Sequence, residues 1–207
     1  MVSEAKNEKP DLGNKRRYRT GVRAEAAAET GRRILRATME LYTERFYDQV
    51  SLEDVAERAG VTVQTVLRRF GSKEDLIFAA AKEESKRLRS QRDRAAVGDV
   101  AGDVRILVET YEEHGDRVLR LLAQEERVPA FRLLTDTGRA YHHEWVERVF
   151  APLLAERSGA QRERLLAQLI ATCDVYFWKL LRRDLGLSRE QTELVVTEAI
   201  MALESGG

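Results

Sequence analysis

The sequence holds a single cysteine, Cys173, so no disulfide can form within the chain, which fits a reducing cytoplasm. Prolines are also scarce: only Pro10, Pro129 and Pro152 interrupt the chain, leaving long stretches in which a helix can run unbroken. No apolar run approaches the roughly 20 residues that a bilayer crossing needs. The N-terminus shows no hydrophobic signal core. The expectation is a cytoplasmic protein with no membrane attachment. There is no phosphate-binding loop, no dinucleotide fingerprint and no nucleophile elbow, so neither catalysis nor a cofactor is expected. Net charge is absent as well: 35 basic residues balance 35 acidic ones, which argues against a protein that simply coats nucleic acid.

The zero average hides a division. Residues 1–95 carry 21 Lys and Arg against 16 Asp and Glu, whereas residues 96–207 carry 14 against 19. A basic front half and an acidic back half fit a DNA-binding domain joined to one that does not touch DNA. Apolar spacing is helical throughout and no strand pattern stands out, so the expected fold is all-α with about nine helices. The expected organisation is a basic disordered arm over 1–23, a helix-turn-helix domain with its connecting helix over 24–95, and a larger helical ligand-binding and dimerisation domain over 96–207. The arm's Lys15, Arg16, Arg17, Arg19 and Arg23 suit phosphates or a minor groove, and equally suit a solubilising tail.

The stretch Ser51 to Lys73, SLEDVAERAGVTVQTVLRRFGSK, organises the rest. Ser51 with Asp54 forms a capping box ahead of Leu52, Val55, Ala56 and Ala59. Gly60 ends that helix because it takes the left-handed conformation cheaply. Thr62 caps a second helix whose inner positions are Val63, Val66 and Phe70. Two short helices crossing at a tight turn make a helix-turn-helix, and the second enters a major groove. Its outward residues carry the readout. Gln64 suits adenine, Arg68 suits guanine, and Val63 suits a thymine methyl. Thr65 and Arg69 suit phosphates, as does Lys73 beside the helix start at Ser72.

The surrounding residues extend the pattern. Ile34, Ala37, Leu41, Tyr42 and Phe46 form an expected first helix, then come VSLEDVAERAGVTVQTVLRRF and GSKEDLIFAAAKE. In that order, the segment from Glu29 to Glu84 resembles the N-terminal domain of the tetracycline-repressor-like (TetR/AcrR) regulators. The resemblance implies a transcriptional regulator of the repressor type, binding a double-stranded DNA operator as a homodimer through its final two helices. It also implies an effector pocket in the back domain. The implied DNA-binding set is Ser51, Thr62, Val63, Gln64, Thr65, Leu67, Arg68, Arg69 and Lys73. The family more often has a small residue where Gln64 stands, an aromatic at Leu67, and Tyr or His at Arg69. Leu67 in particular has no hydroxyl to offer a phosphate.

In the back half, the spacing predicts a helix from Val104 to Glu113 that stops near Gly115, and a short one from Asp116 to Gln124. A longer helix opens at Pro129, and an unbroken one spans Gln161 to Arg183. Ser188 with Gln191 boxes the start of a last helix. The last two helices are apolar on more than one stripe, which suits a four-helix dimer interface. Candidate effector-pocket residues are Tyr141, His142, Trp145, Phe150, Cys173, Tyr176 and Phe177, for an unidentified small molecule. Asp174 is an acid on an otherwise apolar helix, suited to an arginine or to a cationic ligand. His143 and Glu147 share a helix face as metal ligands can, but a third ligand is missing nearby, so no metal site is expected. Two alternatives stay open: a regulator without a small-molecule effector, and a small helical enzyme or metal-binding protein.

Overall fold

The computed structural model describes the backbone of residues 12–205 and the side chains of residues 23–204, and it is all-helical. Among the described residues ten α-helices follow one another: α1 (Leu12–Glu44), α2 (Leu52–Ala59), α3 (Val63–Phe70), α4 (Lys73–Arg92), α5 (Val100–Leu122), α6 (Pro129–Val149), α7 (Ala151–Ala155), α8 (Gly159–Thr172), α9 (Val175–Lys179) and α10 (Arg189–Ser205). A 3₁₀ turn at Tyr47–Gln49 follows α1, and a π turn at Leu180–Asp184 follows α9. None of these helices is long and apolar enough to cross a membrane.

Helix α1 corrects two expectations. Its backbone is helical from Leu12, so residues 12–23 are not an irregular arm. Arginine and lysine, five of the twelve residues in this stretch, are good helix formers. Residues 1–11 lie outside the described residues, as do the side chains of Lys15, Arg16, Arg17 and Arg19. At the other end α1 stops at Glu44, so Phe46 is not on the inner stripe; it is exposed, with the Arg120 guanidinium 5.5 Å over its ring.

Among the described residues two large apolar cores form, with a small third cluster at Met39, Ala80 and Ala81. The first gathers Ile34, Leu41 and Tyr42 of α1, Val55 and Ala56 of α2, Val66 of α3, and Leu76 and Ile77 of α4. It is closed from the back half by Val128 and by Phe131 of α6, which is 0% exposed and meets Tyr42 and Tyr47 edge-on at 6.0 and 5.9 Å. The second core joins α5 through α10 around Val108, Trp145, Leu169, Cys173 and Ile200. The division expected near residue 95 is therefore crossed by α6, whose first turn belongs to the front core.

Gly115 does not stop a helix. Helix α5 is continuous from Val100 to Leu122, and a methyl group at Gly115 would come within 2.5 Å of the Trp178 ring. The glycine is there for close approach, not for termination. Conversely, the expected unbroken helix from Gln161 to Arg183 breaks at Cys173–Asp174. Asp174 caps the restart, its carboxylate accepting the Tyr176 N–H at 2.8 Å. The box at Ser188 and Gln191 opens α10, with Ser188 N–H donating to Gln191 Oε1 at 2.8 Å. Pro129 sits in the first turn of α6 and Pro152 in that of α7, where a missing N–H costs nothing.

Candidate DNA interface and ligand cavity

The helix ends of the helix-turn-helix are fixed by local bonds, and Arg58 ties α2 to Glu44 of α1 through two bonds of 2.9 Å. Ser51 Oγ accepts the Asp54 N–H at 3.1 Å, while Asp54 Oδ2 accepts the Ser51 N–H at 2.8 Å. These bonds, with Arg45 nearby, hold the Asp54 carboxyl below its ordinary range. Gly60 adopts φ +64°, and the Val61 N–H returns to the Ala56 carbonyl at 2.9 Å. Thr62 Oγ1 then accepts the Thr65 N–H at 3.2 Å and opens α3. Val66 is buried beneath, with Val61, Val63 and Phe70 half-buried around it.

What α3 presents outward is narrower than the expected set. Gln64 and Arg68 are exposed, and among the described residues neither has a hydrogen-bonding or ion-pair partner. Ser51 and Thr62 spend their hydroxyls on capping, Thr65 shares its hydroxyl with Thr62 at 3.0 Å, and Leu67 is half-buried. The Arg69 guanidinium lies over Gly31 of α1, in the space a side chain there would take. Lys73 is tied down: its ammonium donates to the Tyr47 carbonyl at 2.9 Å and sits 4.0 Å over the Tyr47 ring.

Tyr47 is a junction. Besides holding Lys73, its hydroxyl donates to Glu74 at 2.8 Å, and its N–H donates to Gln124 Oε1 at 2.9 Å. The ends of α1 and α5 and the starts of α4 and α6 thus meet at one 3₁₀ turn.

In the back half a cavity of about 250 Å³ lies between α4, α5, α6 and α9. Of the candidate pocket residues, Tyr141, His142 and Tyr176 line it. Trp145, Phe150, Cys173 and Phe177 do not. Trp145 and Phe150 stack edge-on at 6.2 Å within the core, with the indole N–H donating to the Arg92 carbonyl at 3.0 Å. Cys173 is fully buried, and burial raises its thiol to about 12, so it is a small core residue. Phe177 packs half-buried against the same core. Asp174 lines the cavity, yet its carboxylate serves as the cap of α9, not as the partner of an arginine.

The sequence reading missed the polar groups that matter most here. Arg92, the last residue of α4, is only 2% exposed. Its guanidinium lies 4.7 Å over Tyr111 and 5.3 Å over Trp145, and Nη1 donates to His142 Nδ1 at 3.2 Å. Burial, then the Arg92 charge, lower His142 to about 4, so it is a neutral acceptor at pH 7. His114, also buried, sits 2.7 Å from Glu84 and 3.1 Å from Gln91. Burial raises the Glu84 carboxyl, but His114 and Arg117 outweigh it and leave it lowered. A periodic signal did exist for Arg92. Ala81, Ser85, Leu88 and Arg92 all line the cavity at helical spacing, continuing the apolar stripe of α4 into its charged half.

His142 and His143 diverge: His143 is exposed, and Glu147 pairs with Arg162 at 2.8 Å. Among the described residues no group of three or more His, Cys, Asp or Glu is arranged to hold a metal ion.

Residues 34–80 match the family described as bacterial regulatory proteins, tetR family. The chain carries a tetR-family domain. Around that domain it is 40% identical over 74 residues to the HTH-type transcriptional repressor KstR of Mycolicibacterium smegmatis, covering 36% of each chain. The KstR of Mycobacterium tuberculosis matches at the same identity, so this chain spans only about a third of the curated relatives' length. Beyond the tetR-family domain the likeness is one of fold. A transcriptional regulator from Rhodococcus sp. RHA1 superposes with a TM-score of 0.68 over 85% of this chain and 96% of its own, at 17% identity. A tetR-family regulator from Streptomyces coelicolor gives 0.60 over 84% and 81%, at 20% identity. The all-helical fold expected from the sequence is thereby established for the back half as well as the front.

Proposed function

We propose that this chain is a sequence-specific DNA-binding transcriptional regulator, a homodimeric repressor released by a small molecule. The observation that carries the reading is α3. It is capped, wedged and held by the tetR-family domain, yet it leaves Gln64 and Arg68 exposed and unpartnered at its outward face. Unpaired amide and guanidinium groups on a rigid helix are what reading adenine and guanine edges requires. The relatives named as transcriptional repressors support the same role.

Dimerisation through α8 and α10 fits this function, because two recognition helices must meet successive major grooves about 34–36 Å apart. Leu194 of α10 is 57% exposed, and Leu166 and Ile170 of α8 are only half-buried, leaving apolar surface for a second copy. The cavity supports an effector, since it is lined mainly by apolar side chains with a few polar groups, as small-molecule sites are. A physical route joins cavity to hairpin: Leu134, Thr135 and Gly138 of α6 line the cavity, and Phe131 one turn earlier fills the front core. A ligand that favours one setting of α6 over another would shift the dimer toward a groove spacing that does not fit DNA. It does so only by its difference in affinity for the two states.

The test is a salt-titrated binding assay with DNA flanking the protein's own gene against random DNA. Specific binding that survives physiological salt is expected. Arg68→Ala should weaken the cognate complex by about 1–3 kcal/mol and relax preference at one base pair. Equal, weak, salt-sensitive binding to every fragment from a random-sequence selection would overturn the proposal.

A further inference from the structure

Arg92 is a buried cation with no anion. Among the described residues no carboxylate lies within 4.0 Å of its guanidinium, and its Nε has no hydrogen-bond partner. Its polar side-chain neighbours are the neutral His142 ring and the Tyr111 hydroxyl, neither of which carries a charge, and its flat faces rest on Tyr111 and Trp145. Removing a guanidinium from water without a counter-charge is costly, so such groups are paired in a settled core. Arg92 instead borders the cavity.

The acids that border the same cavity are already engaged. Glu84 is held by His114 and Arg117, each at 2.7 Å, and Asp174 caps α9. Arg89, one turn before Arg92, also borders the cavity and lies 4.4 Å over Tyr141, again without a carboxylate partner. Basic charge at this end is therefore in excess. Most of the remaining surface is apolar, drawn from Leu88, Val118, Leu121, Leu122, Leu134 and Val175, with Thr135, Arg139 and His143 among the polar residues that complete the wall.

We propose that the cavity binds an organic monocarboxylate with an apolar body, its carboxylate seated on the Arg92 guanidinium between Tyr111 and His142. The fork of an arginine matches a carboxylate in shape as well as in charge. One charge fits better than two at this depth: of the two arginines only Arg92 is fully buried and balances a monoanion there, whereas Arg89 is half-buried and shares its charge with solvent. This assignment deepens the reading of the back domain as an effector site, and it is tested without DNA, so its failure leaves the DNA-binding reading standing.

The experiment is calorimetric titration of the full chain at pH 7.5 with matched straight-chain probes of six to twelve carbons, differing only in head group. The heads are carboxylate, alcohol, primary amine and phosphate monoester. At the best chain length the carboxylate is expected to bind at least tenfold tighter than the alcohol, with the amine weakest. Arg92→Gln, which removes the charge and keeps a polar side chain, should abolish that preference while binding of the alcohol persists, and Arg92→Lys should restore part of it. Circular dichroism and thermal melting of each variant establish that it folds. The proposal is overturned if no carboxylate binds the unaltered protein, if acid and alcohol bind alike, or if the phosphate monoester binds more tightly than the acid. A carboxylate preference that survives in folded Arg92→Gln overturns it too.

Discussion

The helix-turn-helix hairpin closes on itself between Ser51 and Ser72, whereas the cavity draws its walls from residues as far apart as Met39 and Tyr176. The hairpin's helix starts are capped three residues away, by Ser51–Asp54, Thr62–Thr65 and Ser72–Asp75. The cavity's polar groups find partners across the fold: Arg92 meets His142 of α6, and Glu84 meets His114 of α5. A surface that must present the same face to every operator gains from being rigid and local. A cavity that must respond to a ligand gains from walls on several helices, because only then does occupancy move those helices relative to one another.

Phe131 is where this contrast is most open to being broken, since it sits on a back-half helix yet fills the front core. Phe131→Ala removes a fully buried ring from between Tyr42 and Tyr47 and should cost about 3–5 kcal/mol. Urea unfolding measures the loss, and hydrogen exchange locates it. The amides of α2 and α3 should lose protection along with those of α6. Loss confined to α5 through α10 would mean that the hairpin stands independently and that α6 is not its link to the cavity.

A second, somewhat smaller effect lies on the cavity side. His142 has its folded value lowered to about 4 by burial and by Arg92, against 6.5 unfolded. Between those values the unfolded chain takes a proton that the folded chain refuses, so stability rises with pH. The contribution is fully present above about pH 6.5 and falls away toward pH 4, by about 3 kcal/mol in all. Comparing urea midpoints of the protein and His142→Gln across that range isolates the contribution, because the variant has no proton to take. Parallel pH profiles would mean that His142 is as solvated as an ordinary surface histidine, and that the cavity end around Arg92 is wet.

How legible each region was follows from the same distances. Capping boxes, the left-handed Gly60 and the Pro129 start are signals carried within one turn, so the sequence displays them whole. Gly115 misled because a glycine at a close approach and a glycine at a helix end are the same letter. Only the Trp178 ring, brought in from a distant helix, distinguishes them. Asp174 was ambiguous for the opposite reason: it caps a helix start hidden inside an apolar run. Among the aromatic candidates, Trp145 and Phe177 fell into core while Tyr141 and Tyr176 reached the cavity. The two that reached it are tyrosines, but Trp145 too carries a polar group and buries it in a bond to the Arg92 carbonyl, so packing decided as much as chemistry. Arg92 looks like its charged neighbours in KEESKRLRSQRDR, and only the continued stripe from Ala81 marks it as inward.

The smallest expected effect sharpens the contrast from the hairpin side. Thr62 caps α3 by accepting the Thr65 N–H, and Thr62→Ala should cost about 1 kcal/mol. Because the cap acts locally, its loss should appear as faster hydrogen exchange within Val63–Phe70, with the amides of α5 and α6 unchanged. Thr62→Ser, which keeps the hydroxyl, should behave like the unaltered protein. Ala and Ser variants that exchange alike would shift the stability of α3 from its cap to Val66 and the core beneath it. The hairpin would then depend on distant packing much as the cavity does, and the distinction between a locally specified reading head and a globally specified sensor would not hold for this chain.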